Sequence, residues 1–497
     1  MITAVAVAQG ARLPSPGPTQ AKQKRLYLDP EALLQRSSAL GDELVPEERG
    51  WLYWRLAEVA ERNYPQLASS FAKEGLRSAE EAPQGWNRLA LQKNLLVALS
   101  ALHPYAAIAR LGKLEPPLAT AGGTFPEDVR AHAANAIFAA YFKKAALRAL
   151  PRITRVAQYL GETGQYPYEA IGGIIHTGLP APSAASLASA AVEHYRRPSK
   201  FQRESKDFVA FLRLAEGKAP TSILREGGRL AIDRLQSDLK SPGHFVAAIR
   251  SNTESITVTS EAQIYLADLL PVLQRIDPDY LSSELERDPT NAGLLRVGSQ
   301  PHHIEAVVIH GEGAVGPQAE LRGIERSRMS RIRVIASDDP DEATALADEL
   351  TTPSLRVAGM ARAAGGYSVK NHDKGVSLLS RAAKEWEKLD SGDAKLSAGI
   401  EIEKAALALK DSSSFREVFD KLFAIGEELV SEQLDAKPAA LLADCDGFEE
   451  LSQVANVGAR FDPAWTYEQI SGLRNNPLKA FLLAEMADGL LANPKME

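Results

Sequence analysis

DPDEATALADELTTPSLRVAGMARAA, residues 339–364, reads as a helix, a turn and a second helix. Asp339-Pro340 opens the first, with apolar positions at Ala343, Leu346, Ala347 and Leu350, and Thr352-Pro353 opens the second, Ser354 to Ala364. Steps of three and four place each set on one helical face. The pattern extends from Arg326 to Val430. Val376, Leu379, Ala383 and Trp386 make a third stripe, and Ala394, Ala398, Ile402, Ala405 and Leu409 a fourth. Ser414 and Glu417 have capping-box spacing ahead of Phe415, Val418, Leu422, Ile425 and Leu429. A run of αα hairpins implies an all-α chain with almost no sheet.

The same punctuation recurs elsewhere. Asp-Pro pairs stand at Asp29, Asp277, Asp288, Asp339 and Asp462. Aspartate can accept from a free N–H at a helix start, and proline suits the first turn. Helical stripes run from Trp51 to Asn63, Pro65 to Ala82, Leu89 to Leu102 and onward to Arg275. Residues 26–276 therefore read as one helical-repeat lobe and 323–497 as a second. Residues 277–322 carry Pro278, Pro289, Pro301 and Pro317 among glycines and read as an irregular junction. Residues 1–25 carry no helical stripe. Ile2 to Ala8 followed by Pro14, Pro16 and Pro18 resembles the end of a secretory signal peptide and a linker. An upstream start supplying a basic n-region would make the protein exported, periplasmic or extracellular; otherwise it is expected in the cytoplasm.

Repeat lengths are uneven: Asp373 follows Asp341 by 32 residues and Ser414 follows Asp373 by 41. The chain resembles degenerate tetratricopeptide-like or HEAT-like repeats over about half its length; the former are hairpins of about 34 residues. The tetratricopeptide Trp, Gly and Tyr positions are not matched in any one repeat. The resemblance implies an α-solenoid of stacked antiparallel hairpins with a concave groove.

Composition narrows function. Aromatic residues are only 6% of the chain and alanine is abundant, which suits closely approaching helices better than a sugar-stacking cleft. A net charge of −7 argues against a broad nucleic-acid surface. The single cysteine, Cys445, excludes an intramolecular disulfide and a Cys-rich zinc site, and flanking Asp444 and Asp446 would raise its thiol pKa. No apolar run is long enough to span a membrane.

Several motifs imitate chemistry. Gly311, Gly313 and Gly316 form GxGxxG after an apolar run, with Asp338 downstream. Pro317 follows at once and no further βαβ unit appears, so no NAD, NADP or FAD site is expected. Asp338, Asp339, Asp341 and Glu342 resemble the DDxxE cluster with which terpene cyclases hold magnesium diphosphate, but Pro340 puts them at a helix start, where capping explains them. His302, His303, Glu305 and His310 match no standard zinc spacing. Arg322, Arg326, Arg328, Arg331 and Arg333 read as a solvated face with acid partners such as Glu325. The five tryptophans are expected in the core. No catalytic, cofactor or metal residue is assigned. The leading expectation is a non-catalytic scaffold binding a protein or peptide in its groove; the alternatives are an enzyme on an αα toroid of polysaccharide-degrading type and a structural envelope protein.

Overall fold

The computed structural model describes residues 28–116, 128–198, 201, 203–239, 247–251, 254–306, 317–390, 392–436 and 441–492. Two compact units share the chain. The central unit is Leu44–Arg328, and the outer unit joins Met1–Glu43 to Met329–Glu497. This division differs from boundaries placed at 277–322, because α1 (Pro30–Leu40) packs on the last helix of the chain.

The central unit runs α2 (Pro46–Ala60), α3 (Pro65–Glu81), α4 (Trp86–Leu102), α5 (Pro104–Leu111), α6 (Val129–Ala145), α7 (Leu150–Thr163), α8 (Tyr168–His176), α9 (Ala181–Tyr195), α10 (Glu204–Ala215) and α11 (Thr221–Asp238). Then come β1 (Ala247–Ser251), β2 (Ser255–Val258), α12 (Glu261–Ile276), α13 (Pro278–Arg287), α14 (Asn291–Gly298), β3 (His302–Ala306) and the start of α15 (Pro317–Ile335). Most helices touch their chain neighbour, and alternate helices also touch: α4 with α6, α6 with α8, α8 with α10, α10 with α12. That is solenoid stacking of hairpins.

The all-α expectation with almost no sheet holds, and the structure adds two details. A three-stranded antiparallel sheet of order β2-β1-β3 interrupts the helices, with Ile249 opposite Ile256 on one side and Ile304 on the other. The central strand buries Ala247, Ala248 and Ile249 in succession, a continuous apolar run that shows no alternation. The segment expected to be an irregular junction holds α13, α14 and β3. Pro278 opens a helix instead of breaking one, because its missing N–H is not needed in the first turn.

The outer unit continues from Met329 through α16 (Pro340–Asp348), α17 (Pro353–Lys370), α18 (His372–Trp386), α19 (Gly392–Leu409), α20 (Ser412–Ala436), α21 (Phe448–Phe461), α22 (Pro463–Gly472) and α23 (Asn476–Leu491). The chain is thus all-α apart from the small sheet. Helix α17 lies against both α18 and α19, and α21 against both α20 and α23. Small residues permit such approaches elsewhere too: a Cβ on Gly366 of α17 would fall 1.9 Å from the carbonyl oxygen of Ala336, just after α15. At the chain ends, the Ser37 hydroxyl donates to the Ala480 carbonyl at 2.7 Å in a buried contact, and Asn476 donates to Glu43 at 2.8 Å.

The aspartates divide by partner. Asp339 accepts from the Glu342 N–H at 2.9 Å and Asp462 from the Trp465 N–H at 3.2 Å, so both cap as expected. Asp29 makes a longer contact, 3.4 Å, to the Glu31 N–H. Asp277 instead pairs with Arg229 at 2.7 Å, and Asp288 accepts from Thr290 ahead of α14. Ser414 does not cap α20. Asp411 does, accepting from the N–H groups of Ser413 and Ser414 and from both their hydroxyls. A carboxylate is the stronger acceptor and wins over the hydroxyls beside it.

Asp339→Ala should cost about 0.5–2 kcal/mol, the usual loss for such a cap. Gly366→Ala should cost more than the cap, because a backbone carbonyl must move. Urea unfolding of the full chain, reading the transition of the outer unit, checks both. Unchanged midpoints would contradict the close approach and the cap.

Candidate functional site

Among the described residues the motifs singled out in the sequence do not converge. Gly311, Gly313, Gly316 and His310 lie outside the described residues, as does the segment 2–10. His303 and Glu305 are on β3, and only their backbone is described. His302 is on the same strand, its Nδ1 2.9 Å from the Gln300 carbonyl and its Nε2 3.4 Å from Asp268. The acid cluster at 338–342 is dispersed among separate partners. Asp341 accepts from the Tyr367 hydroxyl at 2.5 Å and pairs with Lys374, Glu342 pairs with Arg331, and the Asp338 carbonyl accepts from Lys370. Lys374 is the largest influence holding the Asp341 carboxyl below its ordinary range. Among the described residues no group of three or more His, Cys, Asp or Glu could hold a metal. Cys445 is buried, its Sγ 3.5 Å from the Leu441 carbonyl.

The tryptophans split. Trp386 is buried and its indole N–H donates to the Lys395 carbonyl at 2.7 Å, while Trp86 is 45% exposed at the start of α4. Trp86 is the first residue of its helix, so it lacks the preceding turn against which an interior residue packs.

The densest buried polar group was not anticipated. Asp128 and Arg130, both fully buried, flank the start of α6. Arg130 Nη2 lies 2.7 Å from Asp128 Oδ2, and its Nη1 reaches the Leu114 carbonyl and the Thr163 hydroxyl. Asp128 also caps the helix, accepting from the Arg130 N–H at 2.9 Å. Gln165 closes the far side: its N–H donates to Asp128 Oδ2 at 3.2 Å and its Oε1 accepts from the Asp128 N–H at 3.0 Å. The chain passes as Gly164 because a Cβ there would sit 2.2 Å from Asp128 Oδ2.

The network continues along α8, α9 and α10. Gln165 Nε2 donates to Asp207 Oδ2 at 2.6 Å. Tyr168 donates to Glu204 Oε1 at 2.9 Å, and Arg234 donates to Glu204 Oε2 at 2.8 Å. The Arg234 guanidinium rests 4.0 Å from the Tyr195 ring centroid, and that ring stacks on Phe208 at 3.7 Å. Burial raises the Asp207 carboxyl and pushes the Tyr195 hydroxyl up to about 12. Burial is also the chief cause that raises Tyr168, with the Glu204 charge beside it next. A gap of only about 10 Å³ remains between His132, Asn135, Tyr168 and Asp207, room for one water and no substrate. Each charge already has its counter-charge or donor, and the hydroxyls donate to acceptors in the same set. Such an arrangement fixes helices in register. One sequence signal could have located it: Arg130 precedes Ala133, Ala134 and Ile137 on one buried stripe.

A cavity of the central unit lies between α3, α4 and α5 and measures about 320 Å³. Leu76, Leu96 and Leu114 form its apolar part, and Arg88, Gln92, Arg110 and Lys113 its basic and amide part.

The outer unit holds one buried acid without such help. Glu403 in α19 is fully buried, and among the described residues neither carboxyl oxygen has a hydrogen-bond partner. It shares a helical stripe with Gly399 and Ala406, the side of α19 on which Gly399 approaches Leu422 of α20.

No protein-family model matches the chain, and no curated protein does. A solved structure described as a circular tandem repeat protein with novel repeat topology and enhanced subunit contact surfaces aligns over 90% of this chain and 95% of its own. Identity is 12% and the TM-score 0.17, too low to carry an argument. The helical assignment rests on the helices themselves. No described helix is long and apolar enough to cross a membrane.

Two predictions concern the buried charges. Asp128→Ala and Arg130→Ala should each cost about 3–5 kcal/mol by stranding a buried partner. Replacing both should cost clearly less than the sum, as a double-mutant cycle in urea would show. Additive losses would mean the pair is not coupled. For Glu403, burial raises the folded-state pKa well above 4.5. The fold then keeps a proton that the unfolded chain releases, so stability falls as pH rises from about 4.5 through the folded-state value. Glu403→Gln should flatten that slope and gain stability over the parent at neutral pH. Parallel pH profiles for the two proteins would contradict it.

Proposed function

We propose that the chain is a non-catalytic helical-repeat scaffold that binds a protein or peptide partner on its central unit. The observation that carries this reading is a set of exposed apolar side chains where α4, α5 and α6 meet. Leu102 ends α4, Tyr105 begins α5 and Leu147 follows α6; they are 39%, 54% and 50% exposed. The Tyr105 ring packs edge-on against Tyr141 of α6 at 5.0 Å, so α5 begins beside the end of α6. Grouped apolar exposure of this kind is characteristic of binding surfaces, and tyrosine gives large contact area at low entropic cost. The buried ionisable groups of the unit support the non-catalytic part, since they are engaged with one another.

Photo-crosslinking tests it. A benzoylphenylalanine placed at position 105 of the full chain, expressed in its own cells, should give one discrete heteromeric adduct. Leu102→Ser with Leu147→Ser should reduce that adduct several-fold without shifting the thermal midpoint. Absence of any adduct, or an adduct indifferent to the two serines, would refute a partner surface at this place.

A further inference from the structure

The cavity between α3, α4 and α5 lies near the start of α4, away from Leu102 at its end. Its 320 Å³ falls at the lower end of the range for small-molecule sites, about 300–1,000 Å³. Its charge is not balanced. Arg110 pairs with Glu80 at 3.4 Å, and Glu115 accepts from the Gln84 amide at 3.3 Å. Arg88 gives one N–H to the Ala82 carbonyl at 3.2 Å and keeps its other donors. Lys113 has no ionic partner among the described residues. Among the described lining residues three cations therefore face two acids, one excess positive charge.

A second observation points the same way. Gln92 is only 7% exposed, lines the cavity, and makes no hydrogen bond with the other described residues. Its amide opens on the cavity, where a ligand can exchange for water. A ligand oxygen or N–H would satisfy it. Leu76, Leu96 and Leu114 also line the cavity and give it an apolar side.

We propose that this cavity binds a small amphipathic organic anion, a monocarboxylate whose charged head meets Lys113 and Arg88 and whose apolar body lies on Leu76, Leu96 and Leu114. Gln92 hydrogen-bonds the ligand beside its head. The guanidinium and ammonium set the sign of the ligand, and the short apolar bed limits its length. This site is separate from the partner surface around Tyr105, and either can fail alone.

Octanoate is the probe, and octanamide its neutral counterpart, each titrated calorimetrically into the full chain. Octanoate should bind saturably, at one site, about tenfold or more tighter than octanamide, the size expected for one charge-assisted contact. Lys113→Gln should remove most of that preference while the unliganded thermal midpoint stays where it was, since the Lys113 side chain bonds to none of the described residues. Gln92→Leu should weaken both probes. Equal binding of octanoate and octanamide, octanoate affinity unchanged in Lys113→Gln, or no saturable binding in the millimolar range would each overturn the proposal.

Discussion

Close approach between successive helices is the constraint on which the rest of the molecule depends. Hairpins stack only if each helix can touch its chain neighbour and the next helix but one, and bulky contact residues would forbid that. Gly366 lies where a methyl group would strike the Ala336 carbonyl oxygen. Ala343, Ala347, Ala361 and Ala364 are fully buried in the same part of the outer unit. A low-aromatic, alanine-rich composition is the bulk signature of this geometry. Dispersion gained over many short contacts holds the stack, and a few large side chains such as Trp386 and Phe208 fill what remains.

In such a stack, polar groups in the interior must be fully answered. Asp128 and Arg130 tie the start of α6 to the carbonyl of Leu114 and to Thr163 at the end of α7, and Gln165 passes the connection to Asp207 in α10. A buried ion pair adds little net stability against a well-packed apolar substitute, but it is intolerant of misplacement. It therefore selects one register among several that small apolar residues would allow. Glu403 is the counter-example: a buried carboxyl with no donor among the described residues, held at a cost that rises with pH.

The helices were legible because their signals are local. Asp339 and Asp462 cap the helices that their prolines open, and stripes such as Leu346 to Leu350 give the correct faces. Local ambiguity explains the misplaced cap at Ser414: Asp411, Ser412, Ser413 and Ser414 are all cap formers, and spacing alone cannot rank a carboxylate above a hydroxyl. The sheet escaped because its central strand buries Ala247 to Ile249 without alternation, a run equally consistent with helix. The ionic network and the cavity were illegible for a different reason. Asp128, Gln165 and Asp207 span three connections, and Leu76, Gln92 and Arg110 belong to three helices, so each set exists only after the hairpins dock. The membership of α1 in the outer unit is likewise a property of docking, since nothing within Pro30–Leu40 identifies α23 as its partner.

The central claim is that the buried charges of the central unit hold structure and do not form a working site. Native-state hydrogen exchange tests it most directly at three amides held by side chains or at the helix start: Asp128 to Gln165, and Arg130 and Gln165 to Asp128. If the network is structural, these amides exchange only when the unit unfolds, with protection matching Ala134 and Ile137 inside α6. Exchange orders of magnitude faster than those helix-interior amides would show the network opening by itself, as a site that admits a ligand must, and would contradict the claim.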